Sequence, residues 1–437
     1  MVKHEHFAVN PEGRLTLDGY DLVELADSYG TPLYVVSEAR IREKYRQLHS
    51  AFRGRYEKVL IAYAVKANFT LAVVRILAQE GAGAEVLPGG EVRIALSAGI
   101  PPEKLVLTGN NKTGEDFTQS LKAGVGFIVV DSLSELRKLD EAAGSLGKTP
   151  KIMVRVNPSI QVPTHPYIAT AVKESKFGVD IPSGAAFRVY EAALRMKNVE
   201  TVGVHFHIGS QILSTEPFTE AVERVLDFVE LLKEKLGFTP TCLDFGGGYG
   251  IPYKPEDPAL APEAIAEALV GALRPRLSRL GEPLLILEPG RCLVGDSEVL
   301  LARVGNVKDT PAGKFASVDA STNLLPGIFT EFNRHYEAAV ANKADRAEEE
   351  AVHFSGPLCF AGDILAKNRR VPRVEEGDII AFLDVGAYCQ VAASTFNAYP
   401  RPPTLLLSEH GVELIQRRET YEDIVKRDIL PSRLTEP

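Results

Sequence analysis

Four short segments carry side chains able to do chemistry together. Lys66 ends VLIAYAVK (59–66), an uncharged aliphatic run, so its amine emerges at a strand's carboxyl end with an apolar collar behind it. His207 and Ser210 lie in TVGVHFHIGS (201–210), Gly246, Gly247 and Gly248 in TCLDFGGG (241–248), and Glu288 with Arg291 in PLLILEPGR (283–291). Glycines let backbone N–H groups approach an anion without Cβ obstruction, and Ser210 and Arg291 add donors. An amine, a phosphate cradle and a carboxylate converging on one place suggest pyridoxal 5'-phosphate (PLP). Lys66 would form a Schiff base with the cofactor aldehyde. Glu288 would bind the pyridinium nitrogen and keep it protonated, making the ring an electron sink, while His207 would lie against the ring face.

Taken singly, each of these residues has a plainer reading. A lysine at a strand end is usually a solvated tether, a GGG run is usually a turn, and EPGR is a polar strand exit. His205 and His207 face the same way on one strand, which raises a metal site, but no carboxylate at ligand spacing accompanies them in the sequence, and none is expected to hold a metal. The constellation carries the argument.

The elements that must bring these residues together are legible as alternation. Besides the four runs above, AGAEVL (82–87), KLVLTG (104–109), GFIVVDS (126–132) and KIMVRVNP (151–158) are short and apolar, and stretches such as TLAVVRILAQEG between them have helical spacing. Eight such βα units predict an α/β chain whose core is a closed (β/α)8 TIM barrel, with the site at the carboxyl ends of its strands. That rule adds Asn110, Asp131 and Arg155 to the candidate residues. Beyond residue 300, segments such as DIIAFLDVGAYC and PTLLLSEHGVELIQRR are strand-like with few helices, which predicts a second, mostly β domain. RLTLDG and PLYVVS near the N-terminus are strands that would complete it. The expected division is a PLP-binding barrel over 38–299 and a β domain from 1–37 with 300–437. KADRAEEEA (343–351) reads as a solvated loop or helix.

Composition narrows the functional classes. The 437 residues are 45% hydrophobic and 24% charged, ordinary globular usage. A net charge of -9 without Lys/Arg clusters argues against a nucleic-acid partner, and no window has membrane-span character, so a cytoplasmic protein working on a small molecule is expected. Four scattered cysteines, Cys242, Cys292, Cys359 and Cys389, form neither a disulfide framework nor a zinc motif.

YAVKAN, HFHIGSQ, DFGGGYGIPY, EPGR, GPLCFAGD and DVGAY, in this order, resemble the alanine racemase-like (fold type III) PLP decarboxylases, specifically the diaminopimelate decarboxylase family. The likeness runs from about residue 15 to RRETYEDIVKRDIL and includes THPYIATAVKESKFG (164–178). The resemblance implies a head-to-tail homodimer whose two active sites lie at the interface. It implies Lys66 as the Schiff-base lysine, His207 as the ring-stacking residue, Glu288 as the partner of the pyridine nitrogen, and Ser210, Gly247, Gly248 and Arg291 as cofactor contacts. Tyr388 would contact cofactor and substrate. Cys359 would be the thiol that reaches the other subunit's site to protonate Cα after CO2 leaves.

At the end of the substrate away from the reacting carbon, the chain departs from that family. The family resemblance implies Cys-Glu-Ser at the thiol motif, whose Glu holds a distal ammonium; here Phe360 and Ala361 follow Cys359. It also implies an Arg-Pro-x-x-Tyr segment whose Arg grips a distal carboxylate. The stretch here is DASTNLLPGIFTEFN, without arginine from Asp319 to Asn333 and with Glu331 near the expected tyrosine. CQVAASTFN (389–397) differs as well. Arg291, Phe360, Glu331 and Tyr388 are therefore the expected substrate contacts. Diaminopimelate is the nominal substrate; the alternatives are a paralogue acting on another amino acid with a basic, aromatic, apolar or conjugated side chain, a fold-related racemase, and a non-catalytic PLP-binding protein.

Overall fold

The structure is a computed structural model that describes residues 4–165, 168–171, 175–330 and 334–434. The chain divides into two units, Ile41–Gly295 and a second made of Met1–Arg40 with Asp296–Pro437.

Eight strands organise the first unit: β1 Val59–Ala64, β2 Gly83–Val86, β3 Leu105–Leu107, β4 Phe127–Val130, β5 Lys151–Asn157, β6 Glu200–His205, β7 Cys242–Asp244 and β8 Leu284–Leu287. All pair in parallel with the next in chain order, and β8 pairs with β1, which closes the barrel and leaves no edge. These are the eight apolar runs of the sequence. They read as continuous runs because a strand here packs side chains inward and helices outward. Ala62, Val106, Val129, Met153, Val202 and Ile286 form an interior layer together with Cys242, whose Sγ lies 3.7 Å from Met153 Sδ. Cys242 is thus a core side chain.

Helix starts are set by capping residues placed shortly after strands. Thr113 and Asp116 make a reciprocal capping box on Gly114–Ala123 after β3, and Ser132 caps Leu133–Leu146 immediately after β4. Pro217 and Glu216 open the long helix Glu216–Leu236, which buries Phe218, Val222, Val225 and Val229 along one face.

The second unit is a nine-stranded sheet with a three-stranded one beside it in sequence. Leu33–Ser37 lies antiparallel to Glu298–Thr310 and parallel to Thr404–Ser408, so an N-terminal strand sits inside a sheet otherwise made by the last third of the chain. Leu15–Leu17 belongs to the small sheet, between Phe7–Val9 and Tyr20–Asp21. One expectation is corrected: Lys343, at the start of KADRAEEEA, is buried, with Nζ 2.8 Å from Asp378 Oδ2 and 3.0 Å from Glu375 Oε2. Among the described residues no helix is long and apolar enough to cross a membrane.

Gly203 tests the closeness of strand packing. It pairs with Cys242, and a Cβ there would stand 2.3 Å from the Cys242 carbonyl oxygen. Backbone must move to accept it. Gly203→Ala should lower stability by about 1–3 kcal/mol, seen as a lower urea midpoint with unchanged slope. A wild-type midpoint would contradict this register.

Candidate active site

Lys66 leaves β1 in a short 3-10 turn, Val65–Ala67, whose flanking residues are buried while the lysine reaches outward. Its Nζ is hydrogen-bonded to Glu85 Oε2, and Glu85 Oε1 accepts from the Thr108 hydroxyl. Glu85 sits in β2 and is 3% exposed. Three neighbouring strands therefore hold one amine: β1 carries it, β2 supplies the anion, and Thr108 beyond β3 orients that anion. A carboxylate in contact with an amine gives its proton somewhere to go when the nitrogen attacks an electrophile.

The strands that neighbour β1 on its other edge, β8, β7 and β6 in turn, carry a second cluster. His205 ends β6, Asp244 ends β7, and Glu288 follows β8; a ligand atom of each lies within 4.8 Å of the others, and all three are buried. This corrects the expectation that no carboxylate accompanies the histidine pair, since both come from other strands. His205 Nε2 lies 3.3 Å from Glu288 Oε2, and as a carboxylate only accepts, that nitrogen carries the hydrogen. Glu288 Oε1, Asp244 Oδ2 and His205 Nδ1 are buried without a hydrogen-bond partner. Asp244 Oδ1 accepts from the Gly246 N–H at 2.9 Å.

Two carboxylates so close and so dry divide their charge unequally. Burial, and then the negative charge of Glu288, push Asp244 well above the usual carboxylate range, so it stays protonated. Burial also opposes ionisation of Glu288, but the attraction and hydrogen bond of His205, helped by the Lys66 ammonium, overcome it and hold Glu288 down at about 2. The cluster is a neutral acid beside an anion, with the anion's free Oε1 available to a cationic N–H.

The glycine run is dictated by close approach. A Cβ on Gly247 would lie 1.9 Å from the Glu288 carbonyl oxygen, and one on Gly248 would lie 2.1 Å from that of Gly209. Gly246 and Gly248 also have φ of 64° and 105°. The Gly247 N–H donates to His207 Nδ1 at 3.2 Å, so His207 carries its hydrogen on Nε2. Desolvation first, then the charges of Arg155 and Lys66, hold His207 well below its ordinary pKa, leaving a neutral ring. Arg291 donates to Tyr253 Oη at 2.7 Å and to Ser210 Oγ at 3.3 Å, placing a fixed cation and a hydroxyl beside the glycines. These features fit PLP: a free buried carboxylate oxygen, a flat neutral imidazole, a cradle that a Cβ would fill, and an amine.

Other candidates take supporting positions. Arg155 is buried 3.9 Å from Asp131 Oδ1 and stacks over Phe177, with its carbon 4.6 Å from the ring centre. Asn110 is half-buried after β3. Sequence reasoning passed over Glu85 and Asp244, and over the buried pair Lys112–Glu135 at 2.8 Å. The available signal was an acidic residue within an otherwise apolar strand run. Cys359, Phe360 and Tyr388 belong to the β unit; Cys359 is exposed, and Tyr388 is half-buried with φ of 62°, a conformation non-glycine residues rarely adopt. Glu331 lies outside the described residues.

The charge division predicts a pH signature in the cofactor-free protein. Unfolded Asp244 loses its proton near pH 4 while the folded protein keeps it, so this residue makes stability fall as pH rises above that point. Asp244→Asn keeps a neutral side chain of the same size. It should unfold at a higher urea concentration than the parent at pH 7, with the advantage vanishing towards pH 4. Parallel stability curves would contradict the assignment.

Comparison with known proteins agrees with this geometry. The family model for the pyridoxal-dependent decarboxylase, pyridoxal binding domain, matches residues 38–295. The chain is 40% identical over 97% of its length to the diaminopimelate decarboxylase of Methanocaldococcus jannaschii, covering 97% of that protein. It is 41% identical to that of Aquifex aeolicus, with 95% and 96% covered. The crystal structure of the M. jannaschii enzyme in complex with L-lysine superposes with a TM-score of 0.92 at 38% identity, over 99% of this chain and 100% of that one. The lysine/ornithine decarboxylase of Vibrio vulnificus complexed with putrescine matches with a TM-score of 0.76 at 25% identity, over 89% and 98%. With an amine, an unpaired buried carboxylate and a glycine cradle at one mouth, the chain belongs to the diaminopimelate decarboxylase family of fold type III and is a PLP-dependent carboxy-lyase.

Proposed function

We propose that the protein is a homodimeric cytoplasmic enzyme that removes the α-carboxyl group of a free amino acid and no longer has diaminopimelate as its preferred substrate. The observation that carries the chemical reading is the placing of Lys66, paired with Glu85, and Glu288, with its unpartnered Oε1, at the ends of the neighbouring strands β1 and β8. Support for the substrate class comes from the relatives, which are named for diaminopimelate. Phe360 after Cys359, where the family resemblance implies glutamate, favours a different distal group. Losing one partner of a buried charged contact typically costs about 2–5 kcal/mol, enough to remove a substrate that depended on it.

Bound PLP supplies an aldehyde to hold the substrate amine and a heterocycle that accepts the electrons left when CO2 departs. The chain's own residues do the rest. Lys66 offers the attaching nitrogen, and Glu85 takes and returns its proton. Glu288 holds a positive charge at the ring nitrogen, and Asp244 remains neutral so that this charge faces one anion rather than two. His207, uncharged and with Nδ1 occupied by Gly247, presents a flat face. Arg291 and Ser210, with the N–H group of Gly248, would hold the phosphate. Cys359 of one subunit delivers its thiol proton to Cα in the other subunit's site, while Tyr388 contacts the cofactor.

Borohydride reduction of the PLP-loaded protein should fix the cofactor to the peptide containing Lys66, and Lys66→Ala should release no CO2. Cys359→Ala should lose about 10²–10⁴ in turnover while still taking up cofactor. Mixing the two inactive variants under subunit exchange should restore about a quarter of wild-type activity, as expected for random re-pairing of a two-fold dimer. Full turnover by Cys359→Ala, or no recovery on mixing, would contradict the shared site.

A further inference from the structure

The three segments in which the sequence leaves its family are far apart in the chain, yet they line one cavity of about 350 Å³ in the β unit. The stretch at 319–333, which lacks the family's arginine, contributes Thr322, Asn323 and Pro326. The thiol motif contributes Leu358 and Phe360, on either side of Cys359. The segment at 389–397 contributes Ala392, Ser394 and Phe396. Changes scattered at random would not meet at one place.

The chemistry of the lining is uniform. Among the described residues no charged side chain borders the cavity. Two of its three polar side chains are engaged by the protein: Thr322 Oγ1 donates to Asp363 at 2.7 Å, the Asn323 amide donates to the Ser394 carbonyl at 2.6 Å, and the Asn323 oxygen accepts from Ser321. Arg334, the arginine nearest in sequence, is 8% exposed with its side chain against Gly327, and it does not border the cavity. Phe360 is held in place, since its ring covers Gly362, where a Cβ would come within 2.5 Å of it. Phe360 and Phe396 are 48% and 53% exposed. An engineered apolar cavity of about 150 Å³ is enough for benzene, so this one holds an aromatic or branched aliphatic group. Among the described residues an ammonium or carboxylate entering it would meet no counter-charge.

Resting on the decarboxylase reading above, we propose that this cavity receives the distal end of the substrate and that the substrate is an α-amino acid with an uncharged apolar or aromatic side chain. The cavity replaces the paired charges that a diaminopimelate-specific site requires. Phe360 is its specificity-determining residue, next to the thiol that serves the reacting carbon.

The test uses the PLP-loaded protein. CO2 release is measured for meso-diaminopimelate, lysine, leucine and phenylalanine in both configurations, with Phe360→Glu alongside. The chain has no tryptophan, so Phe396→Trp places a sole indole at the cavity, whose emission reads occupancy by isoamylamine or phenethylamine against cadaverine. The proposal expects higher kcat/KM for an apolar substrate than for diaminopimelate, a gain of roughly fourfold per buried methylene, and a shift of preference towards lysine by at least about tenfold in Phe360→Glu. It also expects the apolar amines, and not cadaverine, to shift the indole emission. Diaminopimelate decarboxylated as well as or better than every apolar substrate overturns the cavity assignment while leaving the decarboxylase reading intact. Substitutions at Phe360 that change subunit dissociation and not substrate preference overturn it too, by assigning the cavity to a second copy of the chain. CO2 from no amino acid refutes the decarboxylase reading, and an indole unmoved by the apolar amines then refutes the cavity independently.

Discussion

Two carboxylates and an imidazole buried together at the barrel mouth cannot all take their preferred charge states, and the site is built around how that conflict is resolved. Asp244 and Glu288 approach from β7 and from the end of β8 with no water-exposed surface to share the burden. The hydrogen bond from His205 favours ionisation of Glu288, and the ionised Glu288 then keeps Asp244 neutral. One anion with one free oxygen is the outcome. That oxygen is what a protonated heterocycle needs to remain protonated, and the ability to stabilise a carbanion follows from it.

The backbone bears the cost of bringing these groups so close. Gly247 packs against the Glu288 carbonyl and Gly248 against the Gly209 carbonyl at distances no Cβ tolerates, so the glycine cradle and the carboxylate are fixed by one contact. His207 is tied to the same turn through the Gly247 N–H, which also decides its tautomer. The glycine turn, the His207 ring and Glu288 are therefore not independent parts. Lys66, Glu85 and Thr108 form a chain across three strand ends, and the pairing of β8 with β1 sets that chain beside Glu288.

Much of this was readable in the residues because parallel strands covered on both faces become uninterrupted apolar runs, and polar residues at their carboxyl ends mark the site. That pattern singles out Lys66, His207, the glycines, Glu288 and Arg291 as candidates. It does not single out Glu85 and Asp244, because a single acid inside an apolar run has no periodic signature and its partners lie on other strands. For the same reason the histidine pair seemed to lack carboxylates when judged by spacing along the chain. Lys343 was taken as solvated because charge-rich segments usually are; its partners Glu375 and Asp378 lie more than thirty positions on. The cavity in the β unit was visible only as three separate departures from a family pattern, and spatial convergence gave them a common meaning.

The barrel unit carries Lys66, Glu288 and the glycine turn, while the departures from the family pattern at Phe360 and in 389–397 fall in the β unit. The account stands or falls on the protonation of Asp244 beside an ionised Glu288. Isotope-edited infrared spectroscopy of the aspartate-labelled protein at pH 7 measures this most directly. The account predicts a neutral carboxylic-acid carbonyl band that disappears in Asp244→Asn; a spectrum with only ionised carboxylates, unchanged by that substitution, would contradict it.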